Sequence, residues 1–120
     1  MKVEQKKVTK PWGHEVIWSY CDKFVGKILF IKHGHNLSRQ YHAKKEETII
    51  VNYGILLVEV GPVEFKRDII LRKGESFHVT PNTIHRFCAP HGDVELYEVS
   101  TPELDDVVRL EDDYNRIPES

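Results

Sequence analysis

"SRQYHAKKEETIIVNYGILLVEV", residues 38–60, decides how this chain is read. Its second half is two apolar runs, "ETIIVN" and "ILLVEV", parted by the turn signal "NYG" at 52–54. Such runs bounded by turn residues read as buried β-strands. Its first half sets a glutamine, a histidine and two glutamates directly ahead of those strands. Gln40 and His42 are two positions apart, so on a strand they share one face. Glu47, at the head of the next strand, can join them across a tight connection. Read alone, "KKEE" is a solvated hairpin. Read with its neighbours, the stretch predicts imidazole and carboxylate on the inner wall of a barrel.

The same pattern continues outward in both directions. "HEVIWSY", "FVGKILFIK", "DIILR", "SFHVT" and "VELYEVS" are short and rich in β-branched and aromatic residues. "KHGHN" (32–36), "VGP" (60–62), "RKGE" (72–75), "TPN" (80–82) and "PHGD" (90–93) punctuate them. Many strands at near-regular spacing predict an all-β barrel or sandwich. "PELDDVVRLEDDY" is the one helical candidate: Pro102 suits a first turn and acidic residues follow it. The 120 residues suit one domain, 1–120, with a core at about 10–116 and looser ends.

Composition excludes several classes. Lys plus Arg is 17 against 19 Asp plus Glu, a net charge of -2, which marks neither a nucleic-acid nor a membrane surface. No apolar run approaches the ~20 residues of a membrane span. The basic start "MKVEQKKVTK" is followed by no apolar segment, so no signal peptide is expected, and Cys21 and Cys88 are read as free thiols of a cytoplasmic protein. "GESFHVTPNTIHRF" brings His85 to the start of another strand. With Gln40, His42 and Glu47 it makes a mixed N/O set for one divalent ion: zinc first, with manganese, iron, cobalt or nickel also suited.

The spacing of both stretches resembles the two cupin motifs. The first runs Gly34, Gln40, His42, Glu47, Gly54, with glutamine in place of the first histidine. The second runs Gly74, Thr80, Asn82, His85, Ala89, with Asn82 at a glycine position that asparagine tolerates in the left-handed conformation. The resemblance sharpens to the cupin domain of type II mannose-6-phosphate isomerases, whose "LSxQxH…E" segment matches "LSRQYH" and Glu47. "KPWG" (10–13) is similar to its "RPWG", "TIHRF" to "AIHRL", and "ELYEVSTPELDDVVRLEDDYNR" to its closing segment. The family's "HHHRAEHW" is "HAKKEETI" here, so histidines become Ala43 and Lys44. The sequence matches the cupin part and not the nucleotidyltransferase domain usually fused ahead of it.

The resemblance implies a single cupin barrel with an internal metal. It also implies aldose–ketose isomerisation of a sugar phosphate through a cis-enediol, with a nucleotide sugar as the other expected ligand. Lys27, Arg109 and Arg116 fall at basic positions of the family, and with Lys45 beside the metal residues they are expected to bind substrate. Glu98, at the family's "IEV" glutamate, and His78 in "SFHVT" are the expected proton carriers. A metal-holding sugar-binding module without catalysis is the alternative. A cupin oxygenase is less favoured, because such sites mostly supply three histidines. A homodimer is expected from exposed sheet edges, with "VEQKKV" (3–8) adding a strand to a partner.

Overall fold

The computed structural model describes residues 1–116. Eleven strands follow in chain order: β1 (Lys6–Lys10), β2 (Gly13–Tyr20), β3 (Val25–Ile31), β4 (Arg39–Tyr41), β5 (Glu47–Tyr53), β6 (Leu56–Val60), β7 (Arg67–Leu71), β8 (Ser76–Val79), β9 (His85–Cys88), β10 (Val94–Ser100) and β11 (Val108–Glu111). They form a six-stranded sheet in the order β1-β2-β3-β10-β5-β8 and a five-stranded sheet in the order β11-β4-β9-β6-β7. Every named pairing is antiparallel. This is the all-β cupin barrel that the sequence predicts.

Period-2 alternation explains what faces inward. Along β10, Val94, Leu96, Glu98 and Ser100 are buried, while Tyr97 and Val99 are exposed. Along β5, Glu47, Ile49 and Val51 are buried and Ile50 is exposed. The core between the sheets joins Leu29, Ile31, Ile49, Val51, Leu56, Val58, Val79, Phe87, Val94 and Leu96, with Trp12 sealing one side. Each such side chain contributes about 1.5–3 kcal/mol on full burial. This apolar packing fills part of the barrel. Towards the other end the inward positions turn polar, and the site lies there.

Turn chemistry holds the strands apart at the required angles. Gly54, between β5 and β6, has φ +86°, and a side chain there would overlap the Asp93 carbonyl oxygen. Asn82 takes φ +66°, in keeping with its place at the second motif's glycine position.

The expected C-terminal helix is absent among the described residues: residues 102–107 are irregular and Val108–Glu111 is strand β11. β11 pairs with β4, setting Val108 opposite Tyr41 and Arg109 opposite Gln40. Helix propensity is a weak prior, and pairing with the edge of β4 supplies a ladder that an isolated turn of helix lacks. Within the chain, Lys6–Lys10 of the N-terminal segment pairs with the protein's own β2 as a hairpin and forms one edge of the six-stranded sheet.

Candidate functional site

Three buried side chains converge inside the barrel: His42, Glu47 and His85 offer ligand atoms that all lie within 4.8 Å of one another. His42 follows β4, Glu47 opens β5 and His85 opens β9. Glu47 Oε1 stands 3.4 Å from His42 Nε2 and 3.3 Å from His85 Nε2. The other nitrogen of each ring is engaged. His42 Nδ1 lies 2.5 Å from the Asp106 carbonyl oxygen, and His85 Nδ1 lies 2.8 Å from that of Thr83. A carbonyl only accepts, so both Nδ1 atoms donate and each neutral ring turns a bare Nε2 lone pair inward. Both Nε2 atoms are buried without a hydrogen-bond partner.

Two lone pairs and a carboxylate facing one another repel unless a cation stands between them. Divalent-ion ligand bonds of about 2.0–2.2 Å in a tetrahedral shell set donor atoms roughly 3.4 Å apart. The two spacings from Glu47 to the histidines match, so the donor set present fits a metal ion. Outer bonds from histidine Nδ1 to carbonyls are the usual means of orienting such ligands. Gln40 is the Cα partner of His85 across β4 and β9 and lines the same cavity. Its Oε1 accepts a 3.3 Å hydrogen bond from Ser38 Oγ.

The cavity has a volume of about 90 Å³ and is walled mostly by polar groups. Lys45, buried, places its Nζ 3.4 Å from Glu47 Oε2 and 3.3 Å from Glu98 Oε2. Glu98 sits on β10 opposite Lys27 on β3. Burial first, then the charge of Glu47, pushes the Glu98 carboxyl up to about 8. Burial also pushes Glu47 upward, but the polar groups packed against it, the Lys45 ammonium among them, prevail and hold it well below the usual carboxylate range. Burial alone would lower Lys45; the two carboxylates outweigh it and raise its affinity for a proton. One proton therefore resides on Glu98 while Glu47 stays ionised.

The four expected substrate-binding cations all line this cavity, but they differ in their partners. Lys27 pairs with Glu15 at 3.4 Å and Lys45 with the two glutamates. Arg116 grips Asp112 with two bonds, at 2.9 and 3.1 Å. Arg109 makes no ion pair among the described residues, and its Nε is buried without a partner. Burial and the nearby Arg116 hold Arg109 below the usual guanidinium range.

His78 does not share the inner wall with Glu98. β8 sets Val79 opposite Glu47 and His78 opposite Thr48, so His78 takes the outward parity. It is half-exposed and hydrogen-bonded at 2.6 Å to both Glu46 and Thr48 on the outer face. Glu46 thus points outward and Glu47 inward, as the motif spacing requires. Asp106 escaped the sequence reading, because "ELDDVVR" looks like the acidic first turn of a helix. Glu15 also escaped it. A lone carboxylate inside the apolar run "HEVIWSY" was its only signal.

The family model described as mannose-6-phosphate isomerase C-terminal matches residues 1–112. The xanthan biosynthesis protein XanB of Xanthomonas campestris pv. campestris is 31% identical over 115 residues, covering 92% of this chain and 24% of that protein. A mannose-1-phosphate guanylyltransferase of Sinorhizobium fredii is 30% identical over 117 residues, covering 92% of this chain and 22% of that protein. The chain therefore spans about a quarter of the length of these relatives. Among solved structures, the capsular polysaccharide assembling protein CapF of Staphylococcus aureus superposes with a TM-score of 0.78 at 15% identity, over 91% of this chain and 32% of that one. That likeness bears on the fold alone.

Proposed function

The chain belongs to the mannose-6-phosphate isomerase C-terminal family, and on that premise we propose that it is a metal-dependent aldose–ketose isomerase of a phosphorylated sugar. The observation that carries the reading is the inward-turned trio of His42 Nε2, His85 Nε2 and Glu47 Oε1, beside a buried carboxyl, Glu98, that holds a proton. We assign His42, Glu47 and His85, with Gln40 completing the set, to one divalent ion, zinc foremost. When bound, the ion would supply Lewis-acid stabilisation of negative charge on two neighbouring sugar oxygens. Neutral Gln40, unlike a carboxylate in its place, adds no negative charge to the site, which suits an anionic intermediate.

The chain's own groups do the rest. Glu98, ionised by giving its proton to solvent, takes the proton from C2 of the open-chain sugar. The C–H pair becomes the C1–C2 double bond and the carbonyl pair moves to O1. Return of that proton to C1, with the O2 hydroxyl proton passing to O1, yields the ketose. A carboxyl raised in proton affinity by burial is suited to carry a proton both ways. Lys45 holds Glu98 and Glu47 together and spreads their charge. Arg109, which pairs with no carboxylate among the described residues, is the residue we assign to the substrate's phosphate. Lys27 and Arg116 line the cavity already neutralised, and act through the field and shape of the wall.

The metal-holding, non-catalytic sugar-binding module keeps one observation in its favour: Lys45 already engages both Glu47 and Glu98. A cupin oxygenase fits less well, since five Lys and Arg side chains stand among the residues that line the cavity. We further propose a cytoplasmic homodimer. No helix among the described residues is long and apolar enough to cross a membrane, and Cys21 and Cys88 are both free. Incubation of the zinc-loaded protein with a panel of aldose and ketose phosphates, followed by NMR, tests the reading. Interconversion of at least one pair is expected; conversion of none, with metal bound, hands the site to the binding-module reading.

A further inference from the structure

The loop that carries the candidate metal ligands is held from outside, by a residue distant in sequence. Asp106, between β10 and β11, makes four contacts with residues 42–45. Its carbonyl oxygen accepts from His42 Nδ1 at 2.5 Å. Its carboxylate accepts from three successive backbone amides: Ala43 at 3.1 Å, Lys44 at 2.6 Å and Lys45 at 2.8 Å. These residues form the connection between β4 and β5, so one ligand, His42, starts the loop and another, Glu47, ends it. Lys45, whose ammonium bridges Glu47 and Glu98, lies within it.

Three amides in a row turned towards one carboxylate make a concave anion cradle, here filled by the protein's own side chain. Bonds from amides to an ionised carboxylate are about twice as strong as neutral ones. The loop has no ladder of its own at 42–46. Its ends are pinned elsewhere, His42 by the Asn82 amide and Glu46 by Thr101, so without Asp106 it is the amides of 43–45 that turn to water and the middle of the loop that loses its hold. Both contacts act on the same outcome. The carbonyl selects the His42 tautomer that turns Nε2 inward, and the carboxylate fixes where the loop sets His42 relative to Glu47.

We propose that Asp106 is a positioning residue of the metal centre: its carboxylate clamp on residues 43–45, and its carbonyl on His42, pre-organise the ligand set. The inference rests on the metal reading above but not on the isomerase reaction.

The test compares the whole chain with Asp106→Ala, Asp106→Asn and Asp113→Ala. Asp113 binds Arg86 on the same C-terminal segment without touching the ligand loop, so it reports a general loss of anchoring. Binding of Co²⁺ alone is followed by calorimetry and by the ion's electronic absorption, with thermal melts alongside. Asp106→Ala is expected to weaken Co²⁺ binding about 10–100-fold and to change the absorption, as loss of a ligand-orienting contact does; Asp113→Ala should leave both unchanged. Asp106→Asn keeps the backbone carbonyl, so ¹⁵N-resolved imidazole spectra of both metal-free proteins should show His42 as the Nδ1–H tautomer, while loss of the charged clamp should still weaken Co²⁺ binding. Unaltered Co²⁺ affinity and absorption in Asp106→Ala overturn the proposal, as do unaltered values in Asp106→Asn should the alanine variant not fold, and as does an Nε2–H tautomer of His42 in the unaltered chain. Failure of the unaltered chain to bind Co²⁺ overturns the metal reading itself, and the positioning role with it.

Discussion

Glu98 shows at the scale of one residue how burial and charge set chemistry. Its carboxyl lies at about 8 in the folded chain, against an ordinary value of 4.5. A carboxyl raised on folding binds its proton more tightly in the native state. Its contribution to stability is therefore fully present below the unfolded value and is lost as pH rises through the folded one. The metal-free protein should become less stable from about pH 5 to about pH 8, by denaturant unfolding, and Glu98→Gln should flatten that slope. In the metal-loaded enzyme the same substitution should lower turnover by ~10²–10⁴-fold with metal content unchanged, if the residue carries the proton. Wild-type turnover in Glu98→Gln would remove it from the mechanism. Arg109 is the second single-residue case. Arg109→Ala should raise KM for a sugar phosphate by roughly 10-fold or more, the loss of one charge-assisted bond pair of about 1.5–3 kcal/mol, while uncharged sugars bind as before. An equal effect on both ligand types would mean that Arg109 shapes the cavity and does not read the anion.

Strands and turns decide which residues can meet. β4, β9 and β11 bring Gln40, His85 and Arg109 into one cross-strand row, since Gln40 is the Cα partner of both. β10 and β5 set Ser100 opposite Glu47, so Glu98 lies two residues along from it on the same inner face. The turn at Gly54 keeps β5 and β6 in the two different sheets. Gly54→Ala forces a side chain into the left-handed region, which costs about 1–2 kcal/mol, and drives it into the Asp93 carbonyl oxygen. Urea unfolding should show a destabilisation of at least that size. Tolerance of alanine would mean that the turn relaxes without cost. The C-terminal segment is instructive at this scale too. A strand formed there because β4 had a free edge, and strand pairing carried Arg109 to the cavity.

The whole molecule presents an outer face that its own chain leaves uncovered. Ile50, Tyr97 and Val99 are exposed on neighbouring strands of the six-stranded sheet. Trp18 lies over Gly26, which is the Cα partner of Val99. No charged residue interrupts this centre, while Glu46, His78 and Glu95 stand around it. An uncharged aromatic patch of this kind matches a second copy of itself better than a charged partner. We expect a dimer by light scattering at micromolar concentration, and a monomer for Val99→Lys, which sets two like charges against each other at the two-fold contact. A monomeric unaltered chain would discard the homodimer. The edge strand β1 is not needed for it, being paired within its own chain on one side.

Much of this was legible in the residues themselves, because period-2 alternation and turn residues are local. The strand runs, the left-handed Asn82, and the inward parity of Glu47 against Glu46 follow from spacing. So do the three candidate ligands His42, Glu47 and His85, which the barrel brings together. What spacing cannot carry is who stands opposite whom. His78 was expected on the inner wall as a proton carrier, but its register partner is Thr48, and that pairing turned it out. Lys27, Lys45, Arg109 and Arg116 look alike in a sequence. Among the described residues, folding gave carboxylates to three of them and none to Arg109, because ion pairing is a matter of three-dimensional neighbours. Asp106 read as the start of a helix until the fold placed it 61 to 64 residues back along the chain, on His42 and the amides that follow it. Local patterning determined the strands and the donor atoms; only tertiary pairing decided which charges remain free and which loops are held.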